Sequence, residues 1–203
     1  MAGDAEQTVG GVVLAGGGGR RFGAPKAGAV LGGLTLVERA VRALAGRCED
    51  VVVVSRKGIA FPAPGARVVL DRPGPDAPLV AVATGLAASS SDVCVVLGCD
   101  LPFAGSIVDR LLVAPPGAAV AADADGRPQP LCARYPRAET LARCERLLAA
   151  GALAMSDLLD VLGATVVAAD DHELLNINTP ADLVRAEALL AGYGAGSTST
   201  TAL

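Results

Sequence analysis

Residues Leu14 to Lys26 read Leu-Ala-Gly-Gly-Gly-Gly-Arg-Arg-Phe-Gly-Ala-Pro-Lys, four glycines between an apolar run and three basic residues. Glycine adopts φ > 0 at no steric cost and lets backbone N–H groups come close to an anion. Successive N–H groups in such a turn form a concave anion site. Arg20, Arg21 and Lys26 add full positive charges that can pair with phosphate oxygens. A strand over 11–15 that runs into this loop predicts a nucleotide-phosphate site. The plain alternative is a flexible glycine turn carrying solvated basic residues.

Two common glycine-rich fingerprints fail here. A P-loop requires G-x-x-x-x-G-K-[ST], but Ala24-Pro25 separates Gly23 from Lys26, and Ala27 follows the lysine. A dinucleotide loop requires G-x-G-x-x-G, whose last position falls on Arg21 or Phe22. The second apolar run, Val51 to Ser55, also lacks the acidic residue that would hold a ribose.

Three further segments bring acids or amides to strand ends. The run Val93 to Gly98 leads into Cys99-Asp100. A carboxylate there suits Mg²⁺, a hard cation that takes one or two carboxylates plus substrate phosphates; the alternative is a cap for a helix near 105. Asp71 ends the run Val68-Val69-Leu70 and reads either as a nucleotide contact or as a turn residue. In Leu174-Leu-Asn176-Ile-Asn178-Thr179-Pro180-Ala-Asp182, the two asparagines sit at i and i+2, so on extended chain their amides point the same way. Each amide can donate and accept. The alternative is that Asn178 and Thr179 only terminate and cap.

The elements that must hold these residues alternate. Strands are expected over 11–15, 51–55, 67–70, 93–97, 118–122, 131–134 and 164–168, short and continuous as parallel strands buried on both faces should be. A helix is expected over 34–44, with Leu34, Val37, Val41 and Leu44 on one face and a capping box from Thr35 to Glu38. Others are expected over 79–88, 105–113, 138–149 and 153–162. Thr179-Pro180 opens a last one that Gly192 ends. The alternation predicts a Rossmann-like three-layer α/β/α fold around a mostly parallel sheet, with ligands beyond the carboxyl ends of the strands. Residues 1–191 read as one domain and 192–203 as a flexible tail rich in Gly, Ser and Thr.

Composition narrows the function classes. The chain has 203 residues and a net charge of −4, with scattered Lys and Arg, which argues against a nucleic-acid surface. No apolar run approaches the ~20 residues of a membrane span, and the acidic, polar N-terminus does not read as a signal peptide. Cys48, Cys94, Cys99, Cys132 and Cys144 show no C-x-x-C spacing, as buried thiols in a cytoplasmic protein would. The one histidine, His172, reads as a solvated loop residue between Asp171 and Glu173.

The glycine segment resembles L-A-G-G-x-x-x-R-M-G-x-x-K, the signature of the molybdenum cofactor nucleotidyltransferase family, with Phe22 in place of Met. Residues 174–183 resemble that family's N-x-N-T-P-x-D-L, Asp71 with Pro78-Leu79 its D-x(n)-G-P-L-x-G, and Asp125 to Leu131 its D-G-x-x-x-P-L. The resemblance implies transfer of GMP from GTP to Mo-molybdopterin, giving molybdopterin guanine dinucleotide and pyrophosphate. It implies Arg20, Lys26 and Asp100 as catalytic residues, with Asp100 also on Mg²⁺. Leu14, Ala15, Gly16, Gly17, Lys26, Asp71 and Asp100 would hold the nucleotide, and Asn176 and Asn178 the acceptor. Transient contact with molybdopterin-handling proteins or molybdoenzymes is expected, and neither nucleic acid nor membrane.

Three departures keep other readings open. Pro25 stands where the guanylyltransferase branch has Asp and is more typical of the cytidylyltransferases. Val54 and Ser55 stand near a position where Asn is frequent, and Gly151 to Ser156 lacks the basic residue of the family's G-x-R-S loop. CTP, another phosphorylated acceptor, or nucleotide binding without catalysis are the alternatives.

Overall fold

The computed structural model describes residues 7–16, 25–56 and 62–196. Strand β1 (Val9–Leu14) leads to a 3-10 turn at Lys26–Gly28. A small hairpin follows, β2 (Val30–Leu31) and β3 (Leu34–Thr35), closed by Gly32 and Gly33 at φ +56° and +79°. Positive φ at both central residues is what a tight hairpin turn demands. The hairpin claims Leu34 and Thr35, so the first helix, α1 (Leu36–Leu44), starts two residues later than its apolar spacing suggests. Thr35 and Glu38 form the expected capping box.

The chain continues through β4 (Asp50–Ser55), β5 (Arg67–Leu70), α2 (Pro78–Ala88), β6 (Val93–Gly98) and α3 (Gly105–Val113). It ends with β7 (Ala119–Ala122), β8 (Pro128–Pro136), α4 (Arg137–Ala149), α5 (Met155–Leu162), β9 (Thr165–Ala168) and α6 (Pro180–Gly196).

Among the described residues, seven strands form one sheet in the order β5-β4-β1-β6-β8-β7-β9. All run parallel except β8, which is antiparallel to both β6 and β7. The expected seven-strand, mostly parallel sheet is therefore present, with one reversal that an apolar run cannot encode. Burial on both faces holds for the central strands but not for the edges. Val68 and Leu70 of β5 and Val166 of β9 are exposed, because an edge strand has a neighbour on one side only.

Side-chain alternation sends Val13, Val53, Val95 and Leu97 to a layer under α1 and α3. Val12, Val52, Val54, Val96 and Tyr135 face α2, α4 and α5. Packing on that second side is close: a Cβ on Gly85 of α2 would stand 2.2 Å from Val12 Cγ1. A third cluster joins Leu31 and Leu36 to Leu175, Ile177 and Ala186, docking α6 against the hairpin.

Helix α6 runs through Gly192 to Gly196, past its expected end. One glycine costs a helix only about 1 kcal/mol against alanine, so it weakens a helix without stopping it. Residues 197–203 lie outside the described residues. His172 is not a solvated loop residue, since it is half-buried and stacks on Phe103 with ring centroids 4.4 Å apart. All five cysteines are free thiols, and burial pushes Cys99 and Cys132 up to about 12, far from a reactive thiolate.

Candidate functional site

The chain moves outward from β1 to β4 and β5, then returns to β6 on the other side of β1. Strand order reverses there, and in such sheets ligands sit beyond the carboxyl ends of the strands at this switch point. Leu14 pairs with Gly98 across this junction. The Cys99 N–H donates to Leu14 O at 3.1 Å, and the Ala15 N–H to Val54 O at 2.9 Å. Three strand ends are thereby tied together beneath one opening.

The described residues enclose a cavity of about 140 Å³ at that point. Leu14, Ala15, Gly16, Lys26, Asp71 and Asp100 all line it. Arg20 and Gly17 lie outside the described residues.

Lys26 is the hub. Its Nζ donates to Asp100 Oδ2 at 2.7 Å and to Asn178 Oδ1 at 2.8 Å. Its side chain is only 12% exposed and that of Asp100 22%, so the pair is shielded but open on one side. Ala27, next in the 3-10 turn, is buried in the α1–α3 layer and anchors the backbone that presents the lysine.

Asp100 is placed by the turn after β6. A Cβ on Gly98 would stand 2.5 Å from Asp100 Oδ1, so glycine leaves the room in which the carboxylate sits. Asp100 does not cap α3, whose N-cap is Ala104 with no side-chain bond.

Asn178 is placed by the capping of α6. Asp182 Oδ2 accepts from the Asn178 N–H at 3.0 Å and the Thr179 N–H at 2.8 Å, while the Asp182 N–H donates to Thr179 Oγ1. Hydrogen bonds from the Thr179 hydroxyl and from the Asn178 N–H hold the Asp182 carboxyl below its usual range. The Ile177 N–H donates to the Asp100 carbonyl at 2.9 Å, so the segment is sewn to the Asp100 turn. Leu175 and Ile177 alternate with the asparagines and are buried beside α6. Of the two amides only Asn178 meets Lys26; Asn176 Oδ1 is buried and meets no donor among the described residues.

Glu173 braces the same segment from behind. It is buried and accepts from Ser106 Oγ, from Arg110 Nη2 and from the Asp170 N–H. Burial alone would raise its pKa, but the hydrogen bonds from Arg110 and Ser106 outweigh it and hold the carboxyl below its usual value.

Asp71 lines the cavity, with its Oδ1 accepting from the Thr84 hydroxyl at 2.9 Å and its N–H donating to Ser55 O. Sequence reasoning missed two charged residues on the rim. Arg56, directly after β4, forms an ion pair with Asp76, just before α2, and both line the cavity. The available signal was a basic residue at a strand end on the ligand side. Asp125 lies in the exposed turn between β7 and β8, and only Leu131 of that motif reaches the cavity. Residues 151–156 contribute nothing to the lining.

A cation, a carboxylate and an amide are interlocked at this opening, and the lysine of such a cluster can pair with a phosphate oxygen. Comparisons with known proteins give the family. A model of the MobA-like NTP transferase domain matches residues 11–161. Molybdenum cofactor guanylyltransferase from Cereibacter sphaeroides is 36% identical over 186 residues, covering 89% of this chain and 96% of that protein. The structure of molybdopterin-guanine dinucleotide biosynthesis protein A from Archaeoglobus fulgidus superposes with a TM-score of 0.71 at 24% identity, covering 90% and 99% of the two chains. That of 2-C-methyl-D-erythritol 4-phosphate cytidylyltransferase from Thermus thermophilus superposes at 0.69 and 26%, covering 92% and 100%. Matched over most of its length by that family model and by a relative at 36% identity, the chain belongs to the MobA-like NTP transferase family, among the molybdenum cofactor guanylyltransferases.

Proposed function

We propose that this protein transfers GMP from GTP to Mo-molybdopterin. A terminal phosphate oxygen of the acceptor attacks the α-phosphorus, the bond between the α-phosphorus and the bridging oxygen to the β-phosphorus breaks, and pyrophosphate leaves with the electron pair. The single observation that carries this reading is the Lys26–Asp100–Asn178 cluster at the β1/β6 junction.

No covalent enzyme intermediate is needed, because the acceptor phosphate is itself the nucleophile. Catalysis is then positioning and charge neutralisation. Lys26 neutralises the phosphates and stabilises the leaving pyrophosphate, helped by the N–H groups of the β1 loop and by Arg20. Asn178 releases Lys26 when phosphate arrives and turns its amide to the acceptor, with Asn176 beside it. Leu14, Ala15 and Gly16 line the nucleotide, and Asp71 meets it from the end of β5.

Among the described residues no group of three or more His, Cys, Asp or Glu could hold a metal alone. Mg²⁺ needs no such cage, because it takes one carboxylate and completes its shell from water and substrate phosphates. Asp100 would fit that role, with its carboxylate in the room that Gly98 leaves. When bound, the cation supplies Lewis acidity at the α-phosphate. Buried thiols and a nucleotide substrate fit a cytoplasmic setting, and among the described residues no helix is long and apolar enough to cross a membrane.

The test is pyrophosphate release with Mg²⁺, Mo-molybdopterin and each of the four NTPs. Release with GTP above the others supports the reading. Preference for CTP would move the protein to the cytidylyl branch, and nucleotide binding without release would make it a non-catalytic binder.

A further inference from the structure

Among the described residues the cavity has two cation–carboxylate pairs, and the proposed transfer uses only one. Lys26 and Asp100 lie at the β6 side. Arg56 and Asp76 lie beyond the end of β4, on the other side of β1. Neighbouring strands are about 4.8 Å apart, so the two ends are separated by roughly 10 Å across β1. A nucleotide with its phosphates at Lys26 therefore has its sugar over the end of β1 and its base towards Arg56 and Asp76.

The Arg56 stem lies against the β1 loop, where a Cβ on Gly16 would stand 3.4 Å from its Cγ. From there the guanidinium reaches Asp76. The wall beside the pair is small and apolar: Ala77, Pro78 and Ala81 from the start of α2, and Leu14 from β1. Such a wall accepts the flat face of a base and leaves its edge to the charged pair. Both members are accessible at the rim, with side chains 34% and 59% exposed, so no desolvated charge is stranded if they part.

We propose that Asp76 and Arg56 read the edge of the base and select guanine. This deepens the guanylyl-transfer reading and rests on it. Guanine shows an acceptor, O6, beside two donors, N1–H and N2–H. The Asp76 carboxylate takes both donors, and Arg56 donates to O6. Adenine would put the N1 lone pair against the carboxylate. Uracil offers one donor between two acceptors. Cytosine offers one donor to Asp76, and its remaining edge consists of acceptors. Guanine alone uses both carboxylate oxygens, in charge-assisted bonds that are about twice as strong as neutral ones. Without nucleotide, Arg56 and Asp76 satisfy one another, so the reader stays in place.

The test is Asp76→Asn. An asparagine can still accept from N1–H, but its second group donates, which suits xanthine, whose 2-oxo group replaces the amine. The expected result is GTP binding weakened roughly tenfold to a hundredfold, XTP binding strengthened, and an unchanged melting temperature. Calorimetry with GTP and XTP reads this without turnover. Arg56→Met should weaken GTP without creating XTP preference. If wild type releases pyrophosphate from GTP while Asp76→Asn keeps the wild-type GTP over XTP ratio, the base-reading assignment falls and guanylyl transfer stands. If wild type binds GTP, shows the swap to XTP in the variant, and releases no pyrophosphate, base reading stands and the transfer reading falls. Failure of wild type to bind GTP overturns both.

Discussion

The two ion pairs of the cavity are built differently. Lys26 and Asp100 are shielded, and Lys26 carries a third partner in Asn178. Behind them the Asp182 cap, the Ile177–Asp100 backbone bond and buried Glu173 fix the segment. Arg56 and Asp76 are more exposed and have no such bracing among the described residues. A bond-making centre gains from groups that do not reorganise during reaction. A reader of an edge only needs groups that can exchange one partner for another. The shielded pair should therefore govern the rate of transfer, and the open pair should govern which nucleotide binds.

The largest effects should come from the shielded pair. Lys26→Ala and Asp100→Ala are each expected to lower kcat by about 10²-fold or more, the scale of losing one stabilising group, as measured by pyrophosphate release at saturating GTP. Wild-type turnover in either would break the division of labour. Asn178→Ala removes one partner of Lys26 and an amide for the acceptor. It should raise the acceptor KM roughly tenfold, the worth of one hydrogen bond to a charged group, with GTP binding little changed. An equal loss of GTP affinity would move Asn178 to the nucleotide side.

Much of the shielded pair was legible in the sequence. Lys26 sits at a fixed distance from a glycine run, Asp100 ends an apolar strand, and Asn178 precedes a Thr-Pro helix start. Each signal is local, and the fold only has to bring strand ends to one edge. The open pair was not legible. Arg56 and Asp76 belong to two different loops, one leaving β4 and one entering α2, and neither loop carries a pattern that names the other. The reversed direction of β8 escaped for a related reason, since strand direction depends on connections rather than on the residues of the strand. Asp71 lines the cavity, and its bond to Thr84 depends on how α2 packs over β1 and β4 to bring Thr84 beside the end of β5.

Smaller effects sharpen the contrast through bracing. Glu173 is held below the 4.5 of an ordinary glutamate in the folded chain. Its contribution to stability is therefore fully present above that value, and is lost as pH falls through the lower folded pKa. Melting temperature should drop in that acid range, and the drop should be smaller in Glu173→Gln. An identical acid profile in the variant would show that Glu173 does not brace the Asn178 segment. Asp182→Ala should cost about 1 kcal/mol, the usual net worth of a lost intramolecular hydrogen bond, read by denaturant unfolding. It should also raise the acceptor KM while leaving the preference for GTP over XTP intact.

The most direct test of the central claim is pyrophosphate release by the wild-type protein with Mg²⁺ and Mo-molybdopterin, compared across GTP, CTP, ATP and UTP. Release that requires the acceptor, is fastest with GTP and is lowered about 10²-fold or more by Lys26→Ala is the predicted result. No release with any of the four, or release unaffected by Lys26→Ala, would contradict the account.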